Sequence, residues 1–190
     1  MIRDLALKAR STRRFKQGEK VGEAVLRELV ELARVSPSAS NRQPLKFILS
    51  ADPGRNGRIF PNLAWAGALK NWGGPAEGER PAAYIVILGD TRISKDFGVD
   101  HGIAAQSMML GAREKGYGAC MVGSIKRDEL RKSLGIADHL EVLLVLALGA
   151  PAETVVLEDA PPGGSVTYYR DAQDVHHVPK RTLDEMIVTG

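Results

Sequence analysis

Five consecutive residues, Arg10, Ser11, Thr12, Arg13 and Arg14, bring together three guanidiniums and two hydroxyls. A guanidinium presents a planar fork of donors that matches phosphate oxygens. Phe15 follows as the only aromatic residue among the first twenty. A second segment, Pro37, Ser38, Ala39, Ser40, Asn41, Arg42, Gln43 and Pro44, adds hydroxyls and two amides. Those are the donors and acceptors that a polar heterocycle needs. Together the two segments point to a bound phosphorylated cofactor. Residues 1–20 hold seven Lys or Arg against only Asp4 and Glu19. Taken alone, the first segment therefore also fits a solvated basic helix end or a nucleic-acid contact.

Other chemistries lack their residues. None of His101, His139, His176 and His177 stands at metal-ligand spacing from Cys or Glu. His176 and His177, adjacent on an extended tail, point to opposite sides and are expected at the surface. His101, beside Asp100 near a helix start, is expected in a capping or buried polar pair. Cys120 lies in an apolar strand, where a thiol is inert packing. No Gly-x-Ser-x-Gly elbow or P-loop is present, and Gly116, Tyr117 and Gly118 fall on the wrong side of their strand for a dinucleotide fingerprint. Anion-binding groups without an acid–base or nucleophilic set suit a protein whose cofactor carries the reactive chemistry.

The elements that must position these groups are ordinary. The chain has 190 residues, 44% hydrophobic and 26% charged, enough for one domain with a real core. Its net charge of +3 argues against wholesale nucleic-acid binding. One cysteine excludes an internal disulfide. The start Met1, Ile2, Arg3, Asp4 has no apolar signal core, and the longest apolar run, residues 142–150, is too short for a bilayer. A cytoplasmic protein without membrane contact is expected.

Apolar spacing predicts helices over 2–9, 21–35, 97–115 and 127–134, and strands over 46–50, 82–88, 119–122 and 141–148. Asp52, Pro53 and Gly54 read as a turn. Residues 51–81 mix Gly, Pro and Asn with Trp65 and Trp72; a short helix is expected over 63–72, and the segment has the length of a lid. Residues 153–174 show little apolar periodicity and are expected to run over the surface or embrace a partner. Four strands and about five helices give an α+β or α/β layered sheet. The near-continuous apolar face of 97–115 and the coreless tail suggest a dimer.

The motifs resemble those of the nitroreductase family of FMN-dependent oxidoreductases. Arg10 to Phe15 is similar to its Arg-Ser-x-Arg-x-Phe segment, and Pro37 to Pro44 to its Pro-Ser-x-x-Asn-x-Gln-Pro segment. Gly116 to Gly123 resembles its strand beside the flavin ring, and Val178, Pro179, Lys180 and Arg181 its basic C-terminal element. The resemblance covers about residues 3–188. It implies an α+β fold with a central mixed sheet flanked by helices, in an intertwined homodimer. It implies one domain over 1–190, with about 60–80 as active-site cover and 152–190 packing on the partner. Arg10, Ser11, Thr12 and Arg13 would hold the FMN phosphate and ribityl chain, joined by Lys180 or Arg181. Pro37, Ser38, Ala39 and Asn41 would reach the partner's flavin, and Met121, Val122 and Gly123 would face the ring. Trp65 would lie near the ring as a substrate-binding residue or pack in the core. The implied reaction takes hydride from NADH or NADPH through FMN to an oxidised acceptor such as a nitroaromatic or quinone. A specialised non-nitro substrate, or a non-enzymatic anion or nucleic-acid binder, are the alternatives. Leu45 stands where the family often has Trp, and the 63–72 region departs from the common form.

Overall fold

The computed structural model describes residues 2–188. A short helix α1 (Ile2–Lys8) leads into the Arg10–Arg14 segment, which is followed by α2 (Glu23–Arg34). Next come β1 (Leu45–Ser50), α3 (Pro53–Ile59), β2 (Ala83–Asp90), α4 (Asp100–Glu114), β3 (Gly118–Val122), α5 (Arg127–Leu134) and β4 (Leu140–Gly149). The tail carries β5 (Val155–Asp159), β6 (Tyr169–Arg170), β7 (His176–Lys180) and α6 (Leu183–Met186).

The central sheet has the order β1-β2-β4-β3, with antiparallel pairing between its neighbours. Its edge strand β3 takes one parallel bridge, Ser11 to Ala119. A second sheet, β5-β7-β6, mixes a parallel and an antiparallel pair. All eight residues of β2 are buried, as its unbroken apolar run predicts for a strand covered on both faces. Ile85 and Ile87 pack with Leu26 and Leu29 of α2 and Met108 of α4. Tyr84, Val86 and Leu88 pack on the opposite face with Ile59 of α3, Leu130 of α5 and Trp65. The period-two alternation thus builds one core on each side of the sheet. Met108 is wholly buried. Its truncation to Ala would cost roughly 2–5 kcal/mol through lost transfer energy and the cavity left behind.

Several expectations are corrected. Asp52, Pro53 and Gly54 open helix α3 instead of making a free turn. The Asp52 carboxylate accepts the Arg55 N–H at 2.7 Å as an N-cap, and Pro53 occupies the first helical position. Residues 63–72 form no helix; Leu63 bridges to Ile125, and Trp65 is drawn into the core. Within the tail, Val155–Asp159 finds a parallel partner in β7. No helix among the described residues is long and apolar enough to cross a membrane.

Candidate functional site

Three backbone contacts place the arginine segment. Thr12 N–H donates to Ala119 O at 2.9 Å, next to the Ser11–Ala119 bridge, so residues 11–12 lie along the outer edge of β3. Thr12 itself is buried, and a Cβ on Gly118 would meet its Oγ1 at 2.6 Å. The close approach requires glycine there. Thr12 therefore packs on the strand, while Ser11, Arg10 and Arg13 remain partly exposed. Farther along, Lys16 N–H donates to Ala150 O and Ala152 N–H to Arg14 O, each at 2.9 Å.

The edge of β3 supplies a polar rim. Backbone groups of alternate residues face opposite edges of a strand. Since Ala119 O faces Thr12, the backbone N–H and C=O of Met121 face the same side. A cavity of about 190 Å³ adjoins this edge, lined among others by Arg13, Trp65, Met121, Val122, Gly123 and Tyr168. The fold thus brings together four of the residues singled out for the ring and its surroundings, plus Arg13. Trp65 packs in the core, 8% exposed and with its ring tilted against Phe60 at 6.0 Å between centroids, and it also borders the cavity.

The arginines differ in their surroundings. Arg10 Nη2 donates to Ala6 O, and its buried Nε has no partner. Arg13 Nη1 donates to Ser11 O at 3.3 Å and lies 3.2 Å from His176 Nε2, with its guanidinium 4.9 Å above the Tyr168 ring. Arg14 pairs with Asp174 and with Glu79, and lies over Trp72. So the cationic run is not a free basic surface. His176, expected at the surface, is fully buried. Burial and the neighbouring Arg13 hold its imidazole neutral, with a pKa of about 4. His177 points the other way, as alternation requires. Its Nε2 lies 2.9 Å from Asp171 and its Nδ1 3.1 Å from Glu158, and those carboxylates raise its pKa. Burial pushes the Cys120 thiol up to about 11, so it stays protonated and inert.

The second segment lies elsewhere in the chain. Ser38 Oγ donates to the buried Asp100 at 2.6 Å, and Ala39 N–H donates to the same carboxylate at 3.0 Å. Ser40, Asn41 and Gln43 hold φ near +50°. Three non-glycine residues in that region within four positions mark a loop held in a strained form, a pattern of ligand-binding segments. Pro37, Ala39 and Asn41 are exposed. The segment borders a groove of about 810 Å³ between α2 and β1 rather than the β3 cavity. Lys180 and Arg181 are exposed at the end of β7, with Lys180 about 13 Å of strand beyond His176. Asp100 was expected only as a capping or buried partner of His101, and Glu153 gave no signal; Asp100 anchors the second segment, and Glu153 anchors the arginine segment. A lone acid before a helix or after a strand is indistinguishable by type from many surface acids.

Fold and site together define an α+β protein with helices on both faces of an antiparallel sheet and an arginine-rich segment on its edge strand. The family model described as "Nitroreductase family" matches residues 6–71 and 77–150. The chain belongs to the nitroreductase family. It is 29% identical over 136 residues to an Archaeoglobus fulgidus protein whose name places it among NADH dehydrogenases/NAD(P)H nitroreductases, covering 67% of this chain and 73% of that one. A nitroreductase family protein from Clostridium novyi NT superposes with a TM-score of 0.68 at 23% identity, covering 80% of this chain and 85% of the other. An FMN-dependent nitroreductase from Clostridium difficile R20291 gives a TM-score of 0.65 at 23% identity, covering 80% and 88%.

Proposed function

We propose that the protein is an FMN-dependent oxidoreductase that takes hydride from NADH or NADPH and delivers it to an oxidised acceptor such as a nitroaromatic or quinone. The observation that carries this is the bridge from Ser11 to Ala119, which lays the arginine segment along the same edge of β3 that Met121 shares. The residues fit the cofactor. Arg10 Nε is a buried donor without a partner, and the β3 edge runs beside a cavity lined by Arg13, Met121, Val122 and Gly123.

Arg10, Ser11 and Arg13 hold the phosphate end, with Thr12 fixing their register on β3. Met121, Val122 and Gly123 face the ring, Met121 through its outward backbone groups. The bound flavin supplies hydride acceptance and donation, which no side chain of this site can provide. Trp65 and the cover segment around 60–80 exclude water from the cavity. The groove beside Pro37, Ser38, Ala39 and Asn41 is the surface for a second copy, whose flavin these residues reach. The tail over 152–190 reaches that copy through its end, where Leu183, Met186, Ile187 and Val188 are all more than half exposed. Lys180 and Arg181 add positive charge near the phosphate. One domain spans 1–190.

The test is anaerobic mixing of the purified protein with NADH and, separately, NADPH. Loss of the visible flavin absorption with one of them supports the reading. Colourless protein, or a bound flavin that neither nucleotide reduces, contradicts it.

A further inference from the structure

Glu153 lies where the two sheets meet. Its side chain is 1% exposed, in a segment the motifs did not single out. One carboxylate oxygen accepts the backbone N–H of Arg13 and, at 3.2 Å, that of Arg14. The other accepts Arg170 Nη2 at 2.7 Å, from a guanidinium that is itself only 10% exposed and lies 4.4 Å over the Trp72 ring. One residue later, Thr154 O accepts His176 N–H at 2.9 Å, and His176 in turn faces the Arg13 guanidinium.

A buried carboxylate is costly unless its lone pairs are filled, and here three donors fill them. Two of the three are backbone groups of the very residues whose side chains form the cationic segment. Fixing the N–H of Arg13 and Arg14 fixes the direction in which their Cα–Cβ bonds leave the chain. Fixing Arg170 and His176 through the same junction closes the tail sheet behind the Arg13 guanidinium.

We propose that Glu153 is a positioning residue for the phosphate clamp: its buried carboxylate aims Arg13 at the cofactor phosphate by binding the backbone of Arg13 and Arg14. The inference rests on the FMN reading above. It makes a prediction opposite in sign to the simplest electrostatic one. On charge alone, removing a carboxylate beside arginines raises the local positive potential and tightens binding of a phosphate dianion. As a positioning group, its loss weakens that binding although the site becomes more positive.

The experiment compares FMN with riboflavin, which lacks the phosphate, on the full-length chain stripped of flavin. The ratio of the riboflavin Kd to the FMN Kd isolates what the phosphate contributes. Two variants separate position from charge. Glu153→Asp keeps the charge and withdraws the carboxylate by one methylene, and Glu153→Gln keeps the length and removes the charge. In Glu153→Asp the Kd ratio is expected to fall about tenfold or more while the riboflavin Kd stays within about twofold, a loss of roughly one charge-assisted contact; in Glu153→Gln, whose amide oxygen still accepts both backbone N–H groups, the ratio is expected to stay within about twofold. An unchanged ratio in Glu153→Asp overturns the proposal. So does a parallel rise of both Kd values, which is the signature of a merely structural role. Tighter FMN binding in Glu153→Gln overturns it in favour of charge. If either variant does not fold, Arg170→Gln decides. It leaves both backbone bonds intact, so the ratio should stay within about twofold, and a tenfold fall overturns the assignment to the Arg13 and Arg14 backbone. A wild-type chain that binds FMN no better than riboflavin contradicts the phosphate-clamp reading itself rather than the role of Glu153.

Discussion

Arg13 Nη1 and His176 Nε2 lie 3.2 Å apart across 163 positions of chain. The contact joins the arginine segment to the tail sheet, so neither is placed by local sequence alone. Because the guanidinium is always a donor, the facing imidazole nitrogen must accept, and a neutral His176 satisfies that requirement. The pKa of about 4 keeps it neutral through the working range of pH.

His176 and His177 impose opposite pH dependences. The folded pKa of His176 lies below its ordinary value of 6.5, so the stability it allows is present above 6.5 and is lost as pH falls toward 4. The folded pKa of His177 is raised by Asp171 and Glu158, so its contribution is full below 6.5 and lost as pH rises through its folded pKa. His177→Gln is therefore expected to lower Tm most at pH 5–6 and progressively less toward pH 8, as thermal melts across that range would read. An equal effect at both ends would exclude the charged pairing with Asp171 and Glu158.

Asp100 holds the strained loop of the second segment. Its carboxylate is 4% exposed and carries the hydroxyl of Ser38 and the N–H of Ala39. Asp100→Ala leaves those donors without their partner, and a loss of roughly 1.5–3 kcal/mol is expected by denaturant unfolding. Ser38→Ala should cost less, since Ala39 keeps its acceptor.

Gly118 sets the spacing between β3 and the arginine segment. A methyl group there would meet Thr12 Oγ1 at 2.6 Å and Thr12 Cβ at 2.8 Å. Gly118→Ala is expected to cost about 1–3 kcal/mol by overpacking. The cost should shrink when Thr12→Gly is added, because the opposing side chain is then gone. Denaturation of the single and double variants measures the difference.

Much of this was legible in the sequence because it follows periodicity. The apolar runs of β2 and β4 and the helical spacing of α2 and α4 each report burial directly. What was not legible depends on partners distant in the chain. Val155–Asp159 is a short, half-buried strand whose apolar pattern is weak, and it becomes a strand only against His176–Lys180. Asp52, Pro53 and Gly54 carry the residues of a turn and of a helix start alike, and the Asp52 cap decides for the helix. For His176, alternation along a strand separates it from His177, but the tail gave no reason to expect a strand. In the candidate site, the Arg10–Arg14 segment was legible by residue type, and the β3 edge through the resemblance of Gly116 to Gly123 to the family's strand. Glu153 and Asp100 were not, because a carboxylate shows its role only through what it touches.

The central claim is that Arg10 and Arg13 hold the phosphate of a flavin, and the flavin content of the purified Arg10→Ala/Arg13→Ala double variant tests it most directly. With roughly 1.5–3 kcal/mol at stake per charge-assisted contact, the wild-type chain should carry FMN released on heating, and the variant should be nearly colourless with its circular dichroism intact. A folded variant that retains the same flavin per chain would contradict the assignment.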